Sequence, residues 1–442
     1  MRYRHAAVAA VLLAGTCVTA LPAAAATAPR TEQVSTAADG TPANAYVEGG
    51  SISADGRYVT FTSRATNLVP GATDTHEKAF LKDLRTGRIE LVSAALDGKS
   101  ANDDSWAQSV SGDGRYVVFS SYATGLTGTP SHVNARTSDL YVRDRATGRT
   151  EILVERTDPN PFADSSTGKI SDDGRYVAFT SNRSDLVPGG DSQQEVYVRD
   201  RVQKTTQRAS VNSDGSRVPG ATFLSPVISA DGGKVGFKTN LGVTVAPGAA
   251  RKTELRASPY RQFYVHDMRT GRTQLAAHNL NRAVVRADWP ALSPDGRYAL
   301  FSTSAPDIVN GEVHDETDAY AKDLVTGVTR RMSTGQDGEL ANAGSYSGAL
   351  MSADNRKVFF SSRATNLVPD DTNGADDVFV RNLETDTVER VSLDDEGEQR
   401  PDSTLLLGVD RSGESVLFSG QSALPSPENP YPVTGLFVRH LV

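Results

Sequence analysis

The chain has one cysteine, Cys17, and it lies in an N-terminal leader, so the rest of the sequence can form no disulfide, no Cys-based zinc site and no thiol nucleophile. Long apolar runs are also missing. The best of them, Ala6 to Leu13, is far shorter than the ~20 residues a membrane span needs. With Arg2 and Arg4 before that run and Ala23 to Ala26 after it, residues 1–26 read instead as a secretory signal peptide. An extracellular or cell-envelope address follows as an expectation.

Basic residues are in deficit. Of 46 Lys and Arg, two belong to the leader, which leaves 44 against 54 acids and a net charge near −10 for residues 27–442. Nucleic acid and anionic membranes reward clustered cations, so neither is the expected partner. Linear catalytic signatures are scarce as well. The sequence has no His-Glu-x-x-His, no phosphate-binding glycine loop and no Gly-x-Ser-x-Gly. Gly344-Ser345-Tyr346-Ser347-Gly348 has the spacing of a nucleophile elbow, but its centre is a tyrosine.

What the sequence does have is repetition. Ser53-Ala54-Asp55-Gly56-Arg57-Tyr58 returns as Ser111 to Tyr116, Ser171 to Tyr176 and Ser293 to Tyr298, with shorter versions at Ser229 to Gly232, Ser352 to Asn355 and Asp410 to Gly413. The intervals are 58, 60, 58, 64, 59 and 58 residues, and a phenylalanine stands six positions after the Asp position in every unit: Phe61, Phe119, Phe179, Phe237, Phe301, Phe360 and Phe418. An Asp-Gly pair between apolar runs predicts a hairpin turn. A third strand follows in each unit, as in Tyr141-Val142-Arg143-Asp144, and then a Thr-Gly turn into an outer strand such as Glu90 to Ser93. Each unit therefore reads as a four-stranded antiparallel sheet, and the chain from residue 27 to 442 as one all-β, seven-bladed propeller.

The seventh unit stops after its third strand. Val34-Ser35 through Asn44 repeats Val92-Ser93 through Asn102 and Met332-Ser333 through Asn342, so the N-terminal segment is expected to supply the outer strand of the last blade and close the ring. The repeat as a whole resembles the WD40-like repeat of the TolB type. That family carries a small α/β domain before a six-bladed propeller, whereas seven units here leave no room for it. The resemblance implies a propeller scaffold and says little about function, because the scaffold serves many roles.

In such a ring the two tight turns of each blade share one face and the longer loops the other, so the loop face and the channel mouth form the expected site. His76, His132 and His314 fall in second-to-third-strand loops, and Trp106 and Trp289 open inner strands beside Asp103-Asp104 and Asp288. These five are the candidate ligand or partner contacts. Asp371, Asn373 and Asp376 partly match a calcium loop, although Ala375 stands where a ligand should be and an Asx turn explains the stretch as well. No cofactor is otherwise expected. The insertion Lys238 to Arg261 carries Arg251, Lys252 and Arg256. The repeated Lys82, Arg143, Arg199, Lys322, Arg381 and Arg439 are expected to serve the blades. The sequence thus predicts a secreted, monomeric, non-catalytic binding propeller with a protein or carbohydrate partner. The alternative is a polysaccharide hydrolase or lyase whose acids gather in the channel from separate blades.

Overall fold

The computed structural model describes residues 28–128, 137–158, 160, 162–241, 262–311, 314–423 and 433–441. These form seven four-stranded antiparallel sheets. Blade 1 runs Val47–Ile52, Tyr58–Ser63, Lys78–Asp83 and Ile89–Leu91. The inner strands of blades 2 to 7 are Ser105–Val110, Ser165–Ile170, Phe223–Ile228, Asp288–Leu292, Ala349–Met351 and Leu405–Val409.

Every residue of the repeated motif has a task. Ser53 Oγ donates to the Asp55 carboxylate and accepts the Tyr58 amide, while Asp55 Oδ1 accepts the Arg57 amide at 3.0 Å, which fixes the hairpin turn. The glycine is doubly constrained in blade 2: Gly114 has φ of 70°, and a Cβ there would lie 2.0 Å from the Tyr58 ring. Tyrosine of one blade thus lies on the glycine turn of the next. The phenylalanines are fully buried and each opposes an aromatic on the third strand, from Phe119 and Tyr141 at 5.4 Å to Phe237 and Tyr264 at 6.2 Å. Such cross-strand pairs stabilise a sheet beyond the area they bury.

The arginine of one motif meets the aspartate of the other. Arg57 binds Asp83 through two nitrogens, at 2.9 and 2.6 Å, and Arg115 with Asp144, Arg175 with Asp200 and Arg297 with Asp323 repeat the pair. Blade 4 has Gly233 at the arginine position, and Arg269 comes from the other turn to bind Asp231 at 2.7 Å. Several third-strand cations stitch blades together: Lys322 reaches Leu275 O of blade 4, Arg381 reaches Met332 O of blade 5, and Arg439 reaches Asp394 O of blade 6, whereas Arg143 and Arg199 bond within their own blades. Their place in the scaffold is as expected.

Ring closure follows the predicted offset. Arg30–Gln33 pairs antiparallel with Val433–His440, from Arg30↔His440 to Gln33↔Phe437. The strand ends sooner than the sequence pattern suggested, and so do its equivalents, such as Ile89–Leu91. The cause is the serine of the Val-Ser motif. Its hydroxyl takes over from the backbone, accepting the third-strand amide from Ser35 to Leu436, Ser93 to Ala79, Ser333 to Ala319 and Ser392 to Val378. The chain then turns away through a bridge at Thr36↔Pro42, mirrored at Ala94↔Ser100 and Thr334↔Leu340.

On the turn face, neighbouring blades are linked by one backbone bond each: Asp55 to Gly112, Gly112 to Asp172, Asp172 to Ala230, Ala230 to Pro294, Ala353 to Arg411 and Arg411 to Ala54. The link from blade 5 to blade 6 is missing among these because Pro294 has no N–H to donate.

Two outcomes follow. A protein beginning at Ala45 loses the closing strand and the buried Val34, and its melting temperature should fall by at least about 5 °C; an unchanged melt would contradict closure by this segment. Acid should also loosen the ring. Bonds from Arg57 hold the Asp83 carboxyl at about 2. Burial opposes the Asp323 charge, but bonds from Arg297 and the Val325 and Thr326 amides outweigh it and hold that group at about 2. Both lie below the ordinary 3.8, so their stabilisation is present above that pH and is lost as the pH falls toward 2. Melting scans across that window should show the decline, and Asp83→Asn should flatten it.

Candidate functional site: the central channel

The seven inner strands line a central cavity of about 1030 Å³. On the turn face its axis is crossed by the Arg411 side chain of blade 7, which reaches Asp172 of blade 3. The cavity wall extends the other way to residues at the loop-face ends of strands, including Lys238, Thr303, Thr317 and Tyr346.

The wall is uneven. Leu350, Leu406 and Leu407 make the blade 6 and 7 side apolar, whereas blades 3 to 5 contribute Lys169, Lys238, Arg286 and Asp288. Asp288 is the one carboxylate among the described lining residues. It is held between Lys238 Nζ at 3.3 Å and Arg286 Nε at 2.6 Å. Lys169 lines the cavity deeper along its strand, and its Nζ has one acceptor among the described residues, Gln108 O at 3.4 Å. Burial alone pushes the Lys169 amine below its ordinary range.

A backbone irregularity shapes this wall. In blades 1, 3, 4 and 5 the inner strand carries an extra residue opposite the buried phenylalanine, as the register shifts at Glu48/Ser51, Ser166/Lys169, Leu224/Val227 and Asp288/Ala291 record. The first bulge residue takes a positive φ, the conformation for which glycine is best suited. Blade 1 uses Gly49 there, with φ of 64°; blades 3, 4 and 5 use Thr167, Ser225 and Trp289, with φ of 54°, 52° and 50°. A left-handed conformation costs a side chain about 1–2 kcal/mol. Strain of this kind gathers where a side chain must be presented.

Trp289 is 60% exposed in that strained position. Blade 6 makes room for it, because a Cβ on Gly348 would lie 2.7 Å from the Trp289 Cβ. Tyr346, 51% exposed, stands in the same wall and donates its hydroxyl to Glu316 at 3.1 Å. The elbow-like Gly344–Gly348 segment is therefore a channel wall. The Ser347 hydroxyl, buried in it, has no partner among the described residues.

The other sequence candidates separate from this site. Trp106 is half-buried and meets Tyr122 edge-on at 5.1 Å. His314 donates to buried Asp318 at 2.8 Å, beside Arg331, so it completes the charged interior of blade 5. His76 lies 3.4 Å from Asp104 and, with Asp103, forms the one group of three acidic or imidazole side chains close enough to share a metal ion among the described residues. The carboxylates there already accept the Glu77 and Asp104 amides. Asp371 is taken by Arg390 at 3.2 Å and Gln399 at 3.0 Å, and Asn373 accepts the Ala375 amide while Asp376 donates its amide to Ser403. Only the Asn373 bond is the contact of an Asx turn; Asp371 is held by residues of the outer strand and the segment beyond it. His132, Arg251, Lys252 and Arg256 lie outside the described residues. Lys169 and Arg286 escaped sequence reading, and Tyr346 entered it only as the tyrosine at the centre of the elbow-like segment; no linear signal marks them as channel residues.

No family model and no curated protein matches this sequence. Among solved structures, the fold is similar to oligogalacturonate lyase from Vibrio parahaemolyticus, with a TM-score of 0.50 and 11% identity over 94% of this chain and 97% of that one. Acylaminoacyl peptidase from Pyrococcus horikoshii follows at 0.48 and 13%, covering 90% of this chain and 52% of the peptidase. TolB from Acinetobacter baumannii gives 0.35 and 13% over 91% of this chain and 81% of TolB. At these identities the likeness is one of fold, and the resemblance to the TolB type is of that kind.

The strain at Trp289 has a measurable consequence. Trp289→Gly relieves the left-handed backbone and removes a mostly exposed ring, so urea unfolding should find the variant as stable as the parent or up to about 1 kcal/mol more stable. A loss above about 1 kcal/mol would mean that the indole is a packing element.

Proposed function

We propose that this chain is an exported binding propeller that takes its ligand in the channel mouth on the loop face. The observation that carries this reading is Trp289: a large aromatic ring, exposed in a cavity wall, held on a backbone conformation that disfavours it. Side chains kept at a cost to stability are expected where function requires them. The described lining also suits binding better than hydrolysis. Paired glycosidase acids stand about 5–10 Å apart, and Asp288, already bound to two cations, has no second carboxylate beside it in the lining. Export rests on the leader at residues 1–26, and among the described residues no helix is long and apolar enough to cross a membrane.

One observation favours the enzymatic alternative. On the loop side of blade 1, burial and the neighbouring Glu77 push the Glu48 carboxyl up, the direction in which a general acid is tuned.

Immobilised protein exposed to culture-medium proteins and to an oligosaccharide library should retain a ligand that Trp289→Gly fails to retain. Equal retention by both proteins would overturn the channel reading, and release of reducing ends from polysaccharide, lost in Glu48→Gln, would replace it with the enzymatic one.

A further inference from the structure

On the loop face, five junctions between neighbouring blades are made by the same backbone bond, which makes them comparable position by position. Ser105 N donates to Glu77 O between blades 1 and 2, and Ser165 N to Ser138 O between blades 2 and 3. Phe223 with Gln194, Ser345 with Thr317 and Thr404 with Asp376 repeat the bond further round the ring. At the first two junctions an aspartate just before the inner strand adds a second link: Asp104 Oδ1 accepts the Glu77 amide at 2.8 Å, and Asp164 Oδ1 the Ser138 amide at 2.7 Å. Joining blades thus accounts for Asp104 but not for what surrounds it. His76 stands where the other four junctions have Thr137, Gln193, Glu316 and Ala375, and Asp103 stands where blades 1, 3, 4 and 6 have Ala45, Ala163, Ala221 and Ala343.

These two additions assemble a donor set. One ligand atom from each of His76, Asp103 and Asp104 lies within 4.8 Å of the others, and His76 Nδ1 is 3.4 Å from Asp104 Oδ1. Donors arranged tetrahedrally on bonds of about 2.0–2.1 Å stand about 3.3 Å apart. Contacts within the group do not explain it. Its carboxylates accept only backbone amides, Glu77 on Asp104 and Asp104 on Asp103, and the imidazole has Asp104 as its one polar neighbour among the described residues. The cations beside this loop are engaged elsewhere, Arg64 with Glu77 at 3.2 Å and Lys78 with Asp74 at 3.1 Å. At the second junction, by contrast, Arg156 offsets the charge of Asp164. Two adjacent carboxylates with no opposing charge repel each other, and a bound cation removes that repulsion. The amides hold one oxygen of each carboxylate and leave the other for an ion, which is how outer bonds orient metal ligands.

We propose that His76, Asp103 and Asp104 bind a divalent transition-metal ion of the zinc class at the loop-face junction of blades 1 and 2. An imidazole nitrogen with two carboxylate oxygens suits such ions, whereas calcium and magnesium favour sites made of oxygen alone. Three protein ligands leave a further position open to water or to a donor atom of a ligand. The ion would also tie two blades together through side chains, where the other junctions rely on the backbone and a single carboxylate at most. The site is independent of the channel reading and stands or falls without it.

The experiment takes protein without a histidine tag, strips it with a chelator and titrates it with Zn²⁺ by calorimetry, with Ca²⁺ and Mg²⁺ as comparisons. One equivalent of Zn²⁺ should bind at least about tenfold more tightly than either. At about a hundredfold excess over its dissociation constant it should raise the melting temperature by about 2 °C or more. His76→Thr and Asp103→Ala introduce residues that other blades carry at the same positions, so both proteins should fold. Each should weaken Zn²⁺ binding by about tenfold or more, a loss of about 1.4 kcal/mol, and should lose the rise in melting temperature. Metal-free melts of the parent and both variants separate a folding defect from a lost ligand. Zn²⁺ binding unchanged in both variants would place the ion on another surface group and overturn the proposal. Equal affinity for Ca²⁺, or no binding by the parent, would overturn it as well.

Discussion

Everything in this fold depends on closing a circle of sheets that have no other means of hiding their edges. No disulfide is available to the chain beyond Cys17, and the blades hold one another by surfaces alone. Closure is made by four residues, Arg30 to Gln33, running antiparallel to the last strand, with His440 3.0 Å from Glu32 and Arg439 bound to Thr31. Because the last blade is completed from the other terminus, the ring cannot open without losing sheet hydrogen bonds. The same device fixes seven inner strands around one axis, where the candidate site lies.

The repeat is a set of joints. Within a blade, serine and aspartate shape the turn and phenylalanine meets its aromatic partner across the sheet. Between strands, arginine of the first motif binds aspartate of the second. Between blades, tyrosine lies on the next glycine, and Arg381 and Arg439 of the third strands reach back to the previous blade. Departures are compensated locally. Arg269 reaches Asp231 where Gly233 removes the usual arginine, and Pro294 leaves one interblade link unmade without displacing its neighbours. A scaffold secured at so many equivalent points tolerates local strain in its inner strands. That tolerance is what Thr167, Ser225 and Trp289 use.

The channel is polarised both along and around its axis. Arg411 and Asp172 meet across the turn-face end. Around the wall, leucines of blades 6 and 7 oppose the cations of blades 3 to 5. The His76, Asp103 and Asp104 group lies apart from this wall, at the junction of blades 1 and 2.

The sequence by itself determined the number of blades, the order of strands, the turns and the borrowed closing strand. Each of these is written in short-range patterns: the Asp-Gly turn, the phenylalanine six residues on, the Val-Ser-x-x-x-Asp-Gly segment whose permuted copy sits at residue 34. It also placed Trp289, like Trp106, at the start of an inner strand. Only the tertiary structure decided what surrounds it. Lys169, Lys238, Arg286, Tyr346 and Ser347 come from four blades and are separated by up to 178 positions, numbered 169 to 347, so no local pattern joins them. Nor does a sequence record that His314 is absorbed by a buried aspartate or that Trp106 leans on Tyr122, because those partners are chosen by packing after the ring has closed. The repeat fixes where each strand runs, whereas the charge and shape of the channel exist only when seven strands meet.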